Sequence, residues 1–203
     1  YMLMIAIESN AYDKAYYIKA FERYNIEEVT NRPMEDLSTI ADSLIDYLKG
    51  KGGDEILNPH FNEREVLHMR DVGKLFDYAR MVKYICGTIA IAIISFVLVK
   101  GEKKLIGKTL FLGLFINHFI LLILALLIAS DFNKYFTIFH KIFFTNDLWL
   151  LNPKTDLMIQ MLPEPFFSGM AIKIGLSFLI YLSILQLIGL YYVKKGNKSG
   201  KEI

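Results

Sequence analysis

The stretch TLFLGLFINHFILLILALLIAS, residues 109–130, contains no Asp, Glu, Lys or Arg. At a rise of about 1.5 Å per residue, such a helix is long enough to cross the roughly 30 Å hydrocarbon layer of a bilayer. Two other runs have the same character. YICGTIAIAIISFVLV, residues 84–99, lies between Lys83 and Lys100, and lysine snorkelling extends it through Met81 and Val82. IGLSFLIYLSILQLIGLYYV, residues 174–193, is equally free of charge. The opening YMLMIAI is apolar but short, so it reads as the tail of a fourth span over residues 1–10, with a short interfacial strand as the alternative. The whole chain supports these readings: 203 residues, 54% hydrophobic and 14% aromatic, with a positive mean hydropathy. The expected fold class is an all-α integral membrane protein.

Charge orients the bundle and excludes some partners. The formal net charge is only +2, and Lys and Arg are scattered between apolar blocks, which argues against nucleic acid and leaves anionic lipid headgroups open. Cys86, the single cysteine, sits inside an apolar run and cannot form an internal disulfide. The turn KGEKKLIGK carries Lys100, Lys103, Lys104 and Lys108, and the tail KKGNKSGKEI carries Lys194, Lys195, Lys198 and Lys201. Basic residues at span ends collect on the cytoplasmic side, which gives an expected layout. Residues 80–100, 109–130 and 171–193 cross the membrane. Residues 101–108 and 194–203 are cytoplasmic, and residues 11–79 and 131–170 are extracytoplasmic.

In the first outer segment, NRPMEDLSTIADSLIDYLKG places Pro33 at a helix start, Glu35 and Asp36 in the first turn and Gly50 after the end. Leu37, Ile40, Ala41, Leu44, Ile45 and Leu48 recur on one face, opposite Asp42 and Asp46. That face packs on other helices or lies on lipid. A glycine-rich loop with Asn58-Pro59 follows, and a second helix begins near Asn62 and runs into the span at Tyr84. The second outer segment is aromatic, with Phe132, Tyr135, Phe136, Phe139, Phe143, Phe144, Trp149, Phe166 and Phe167. Part of that set reads as an interfacial belt.

The four histidines differ in setting. His60 lies in a polar loop and reads as solvated. His118 is deep in a span, where a polar side chain reads as bridging helices or as functional. His68 lies on a helix face with Arg64, Glu65 and Asp71, so a carboxylate stands one turn to either side of the imidazole. Such a carboxylate can fix the tautomer of a general acid/base, with Glu65 or Asp71 as orienting or proton-relay group; an exposed salt-bridged face is the alternative. His140 lies in IFHKIFF, on the same expected side as His68. The chain has no GxSxG, HExxH, CxxC or glycine-rich phosphate loop. Glu65-Val66-Leu67-His68 is an E-x-x-H without a second copy, so metal is not expected. Two histidines without a covalent nucleophile suit a substrate that brings its own.

Three motifs, NEREVLHMRDV, FHKIFFTNDLWLLNP and PKTDLMIQMLPEPFF, resemble those of the bacterial lipoprotein intramolecular transacylase family, Lit, with the same order of loops and spans. The resemblance implies a bundle of four transmembrane helices, the first truncated here, under an extracytoplasmic helical cap, in the bacterial cell membrane. It implies transfer of the sn-2 acyl chain of a lipoprotein's diacylglyceryl group to the α-amine of its N-terminal cysteine, leaving a lyso form. It also implies that His68 and His140 are the catalytic pair, with no cofactor and no metal. Diacylated lipoprotein and membrane lipids are the implied partners, without an obligate protein partner. On this reading His68 is the base and His140 the acid or oxyanion donor. Phe143, Phe144 and Trp149 wall the substrate, and Arg64, Asn146, Asp147 and Asp156 are candidates for binding its amine or headgroup; turn and cap formation is the alternative for Asn146, Asp147 and Asp156. A non-catalytic membrane receptor or clamp for lipid or lipopeptide explains the amphipathic face and aromatics equally well, but does not require the two imidazoles to meet. An intramembrane metalloenzyme is a third reading.

Overall fold

A computed structural model describes residues 1–199. Lys201, counted above in the basic tail, lies outside the described residues, as does the side chain of Lys198. The elements run in chain order as α1 (Met2–Ala11), α2 (Lys14–Arg23), α3 (Ile26–Thr30), α4 (Met34–Leu48), α5 (Glu63–Val99), α6 (Lys103–Gly113), α7 (Phe115–Ser130), α8 (Phe132–Phe143), α9 (Leu157–Met161) and α10 (Glu164–Ser199), with one 3-10 turn at Asp54–Ile56. No strand occurs among the described residues, so the YMLMIAI stretch is helix and not an interfacial strand. Three helical stretches are long and apolar enough to span a membrane: Glu63–Val99, Lys103–Ser130 and Glu164–Lys195. The second is α6 plus α7, continuous but for Leu114.

The spans meet closely only where side chains are small. Gly107 of α6 faces Gly189 of α10, where a built Cβ would lie 2.9 Å from the partner's carbonyl oxygen in either direction. Glycine thus allows backbone-to-backbone packing in lipid, where apolar burial gives no drive between helices. Gln186 adds a hydrogen bond by donating to the Phe111 carbonyl at 3.1 Å. Elsewhere few residues of the apolar windows are buried, as suits helices that face lipid.

The packed core lies instead in a cap at one end of the bundle. All six apolar positions read from the α4 sequence are buried, Leu37 and Ala41 completely, while Asp42 is exposed. They pack on Phe21 of α2, Ile26 of α3, Leu57 and Phe61 of the following loop, Val66 and Met69 of α5, Met158 and Met161 of α9, and Phe166 of α10. Of the two readings of the α4 face, packing within the protein is therefore the one observed. The segments before α5 and after α7 share this core, so they occupy the same end of the bundle. Gly50 ends α4 at φ +73°, with Lys51 N–H donating to the Asp46 carbonyl at 3.0 Å, a left-handed closure that glycine adopts without strain.

Candidate active site

His68 stands in the second turn of α5 and His140 in the last turn of α8, and the fold brings the two rings to 6.1 Å between centroids at 32°. Both are buried, at 9% and 8% exposure. Phe144 closes the pair from one side, 5.4 Å from the His68 ring and 5.6 Å from the His140 ring. Trp149 stacks on His140 at 4.9 Å, and Phe136 meets it edge-on at 4.4 Å. Of the three aromatics expected to wall the site, Phe144 and Trp149 lie against the His140 ring, joined by Phe136 and Phe139, while Phe143 packs on Phe139.

The Nδ1 atom of His140 lies 2.7 Å from the Phe136 carbonyl oxygen. A carbonyl only accepts, so Nδ1 carries the hydrogen, and in the neutral ring the lone pair is on Nε2. Burial holds the His140 imidazole below its ordinary pKa, against a raising effect of that same backbone contact. Burial also depresses His68, to about 4, aided by the neighbouring His140 and opposed by Asp71. Both rings are therefore neutral near pH 7. With Nδ1 turned to the backbone, Nε2 of His140 is the nitrogen left to exchange a proton.

The carboxylates expected to orient His68 are otherwise engaged. Glu65, 1% exposed, accepts Met158 N–H at 2.6 Å on one oxygen and Asn62 N–H at 2.8 Å on the other, while the Asn62 side chain accepts Glu65 N–H at 3.1 Å. Glu65 is thus the closing residue of a capping box and a strap to the start of α9, not a relay to His68. Desolvation raises its carboxyl pKa against the lowering effect of those two N–H groups. The NERE motif, Asn62 to Glu65, carries the sequence signature of this cap. Asp156 belongs to the same clasp: its oxygens accept Asn152 N–H at 2.7 Å, the Thr155 hydroxyl at 2.9 Å and the Asn62 amide at 3.2 Å. The Asn152 N–H is the largest cause holding its pKa low, against desolvation. Asp156 is thus not free to bind an amine.

Asp71 makes no hydrogen bond to His68; it accepts from Asn146 at 2.9 Å and Lys74 at 3.2 Å. Burial alone would raise Asp71, but the Asn146 bond, the lysine and His68 bring it below its ordinary value. It therefore acts on His68 only through its field. A hollow of about 170 Å³, lined by Asp71, Lys74, Leu75, Tyr78, Phe143, Phe144, Thr145 and Asn146, shares Phe144 with the packing around the pair, but neither imidazole lines it. Phe143, Phe144, Asn146 and Asp71 line this one concavity. Arg64 does not: its guanidinium donates to the Asp147 carbonyl and so fixes the loop after α8. Phe139, Ile142 and Phe143 leave an apolar face of α8 exposed, directly after the span that ends at Ser130. An exposed apolar face of this kind suits contact with the membrane interface.

The other histidines stay away from the pair. His60 is half-buried beside Phe61. His118 does not bridge helices; its Nδ1 lies 3.0 Å from the Leu114 carbonyl of its own chain segment, at the break between α6 and α7. Near that break the local backbone offers an acceptor closer than any neighbouring helix.

An integral membrane helical bundle carrying a buried, neutral histidine pair in its cap defines the class of this protein. Within that class the family profile for "lipoprotein intramolecular transacylase Lit" matches residues 1–167, and the chain belongs to that family. The fold superposes on the in meso structure of the membrane integral lipoprotein intramolecular transacylase Lit from Bacillus cereus with a TM-score of 0.84 and 29% identity, covering 97% of this chain and 91% of that one. A variant of the same protein with one histidine replaced by arginine gives 0.81 at 28% identity, over 98% and 88% of the two chains. An uncharacterized protein of Aquifex aeolicus is 29% identical over 126 residues, a match spanning 62% of this chain and 55% of that protein.

Proposed function

We propose that this protein moves the sn-2 acyl chain of a diacylglyceryl lipoprotein to the α-amine of its N-terminal cysteine, by acid/base catalysis without an acyl-enzyme. The observation that carries the reading is the pair of buried imidazoles 6.1 Å apart, both packed on Phe144, a residue that also lines the neighbouring hollow. Family membership supports the transacylase class.

The substrate supplies both reactants. Its amine, with a reference pKa of about 7.7–8.0, is partly protonated at neutral pH and cannot attack until it loses a proton. The open Nε2 of His140 takes that proton. The freed amine nitrogen attacks the sn-2 ester carbonyl, forming the C–N bond, and the carbonyl oxygen takes the negative charge. His68, neutral, keeps one N–H with which to donate to that oxyanion. His140 passes that first proton to solvent and takes the second from the nitrogen of the tetrahedral centre; as the centre collapses, the glycerol C–O bond to the carbonyl carbon breaks and the alkoxide takes this second proton from the His140 imidazolium. An ammonium substrate thus gives amide, alcohol and one proton released to solvent, and both rings return to neutral.

The economy of the site follows from the intramolecular geometry. Holding amine and ester face to face is worth up to about 7–11 kcal/mol in the best intramolecular cases. Rigid walls from Phe143, Phe144, Phe136 and Trp149 limit the conformers of a floppy lipid and keep water from competing.

Incubation of the purified protein with a synthetic diacylated lipopeptide tests this by mass spectrometry. The expected product has unchanged mass, a blocked amine and a free glycerol hydroxyl. His140→Ala and His68→Ala in folded protein should each slow its formation by about 10²–10⁴-fold, the range for loss of a positioned acid or base. A lipopeptide bound but unchanged by the wild type would favour the clamp reading instead.

A further inference from the structure

A second concavity lies elsewhere in the cap, between α2 and the first turns of α10. It measures about 420 Å³ and is lined by Tyr16, Lys19, Ala20, Arg23, Tyr24, Gly169, Ile172 and Lys173, sharing no residue with the hollow beside the histidines. Three of the lining side chains are cations and no lining side chain is acidic.

This hollow has fixed walls. The Tyr16 hydroxyl donates to the Phe166 carbonyl at 2.6 Å and the Tyr24 hydroxyl to the Pro165 carbonyl at 3.3 Å, tying α2 to the start of α10. Gly169 makes the approach possible, since a Cβ there would meet the Tyr16 hydroxyl at 2.6 Å. Lys173 is held by Asp13 at 2.8 Å and lies 4.6 Å from the Tyr16 ring centroid. Lys19 and Arg23 have no carboxylate within salt-bridge distance among the described residues, so their charge is not neutralised locally. Both are exposed at the rim.

Depth identifies the ligand. Lys173 immediately precedes the uncharged run 174–193, so the hollow sits where the hydrocarbon layer gives way to headgroups. Ile172, 63% exposed, faces outward beside it, leaving a path for an acyl chain to run down α10. A soluble anion would need the cations and the tyrosines but not the lateral apolar exit. We infer that this hollow binds the phosphate of an anionic phospholipid headgroup in the cap-side leaflet, with Lys19 and Arg23 as the charged contacts and Tyr16 and Tyr24 as walls.

The test places the full chain in phosphatidylcholine nanodiscs containing a minor fraction of phosphatidylglycerol, and counts co-purifying lipid by native mass spectrometry. Wild type should retain phosphatidylglycerol in preference to phosphatidylcholine. The double variant Lys19→Gln, Arg23→Gln should weaken that retention by about fivefold per cation removed, the factor equivalent to about 1 kcal/mol for a basic residue at an anionic surface. Both side chains are exposed, so the fold and the lipopeptide reaction in pure phosphatidylcholine should be unchanged. Equal retention of the two lipids by wild type, or undiminished retention by the double variant, overturns the inference. Displacement of phosphatidylglycerol by inorganic phosphate at matching concentration would overturn the lipid assignment in favour of a free-anion site.

Discussion

His140 owes its proton inventory to a backbone oxygen. The Phe136 carbonyl dictates which ring nitrogen is bare, and Trp149 stacks on the ring. His68 has a different constraint, namely burial, which the field of Asp71 offsets only in part. Its pKa falls to about 4 in the fold against about 6.5 in an unfolded chain, so the neutral form is the one the fold favours. That contribution to stability is complete above pH 6.5 and is lost as the pH falls toward 4. It amounts to about 3 kcal/mol if the full shift is realised. Unfolding midpoints measured across this window should therefore drop in wild type, and drop less in His68→Gln. That His68 and His140 lie on one side of the bundle was legible from their placement beside spans, whereas their pairing was implied only by the family resemblance, and the structure brings the rings to 6.1 Å. Their electrostatics were not legible. Helical spacing put Glu65 and Asp71 near His68, but spacing does not reveal that other groups already hold both carboxylates.

The helices carry the chemistry by what they tie together. Glu65 binds the first turn of α5 to the first turn of α9, and Asp156 with Asn62 repeats the link. The clasp fixes the helix bearing His68 relative to the loop bearing Trp149. Glu65→Ala removes a helix cap and a buried charged acceptor together, so the expected loss is about 2–4 kcal/mol of stability, read from chemical denaturation in detergent. Glu65→Gln, which keeps one acceptor oxygen, should lose less. The amphipathic α4 was legible in full, from Pro33 to Gly50, because its apolar spacing and its punctuation agree. The course of α5 from Asn62 into its span was legible for the same reason. Ion pairs between distant segments were not. Lys83, read as snorkelling toward headgroups, is 9% exposed and pairs with Glu8 of α1 at 2.5 Å. Nothing local to either residue signals the other.

At the scale of the whole molecule, packing and membrane crossing are divided between the two ends. The cap holds the core, the histidine pair and both hollows, while the spans bury few of their apolar residues within the protein. Lys103, Lys104 and Lys108 lie in α6 at the far end, which the tendency of basic residues to collect on the cytoplasmic side predicts to face the cytoplasm. On that orientation a thiol introduced as Lys51→Cys, in a Cys86→Ser background, should react with a membrane-impermeant maleimide on intact cells. A thiol introduced as Lys104→Cys should react only after permeabilisation; the opposite pattern would invert the topology. The unbroken helix from Glu63 to Val99 makes one further demand on its surroundings. It carries His68 near one end and the membrane-crossing run at the other without a hinge, whereas α8, whose exposed apolar face suits the interface, carries His140. A bilayer whose thickness forces α5 to tilt must therefore swing one imidazole against its partner. Turnover measured in phosphatidylcholines of increasing chain length should pass through an optimum, and the protein would in effect gauge the thickness of the membrane that it serves.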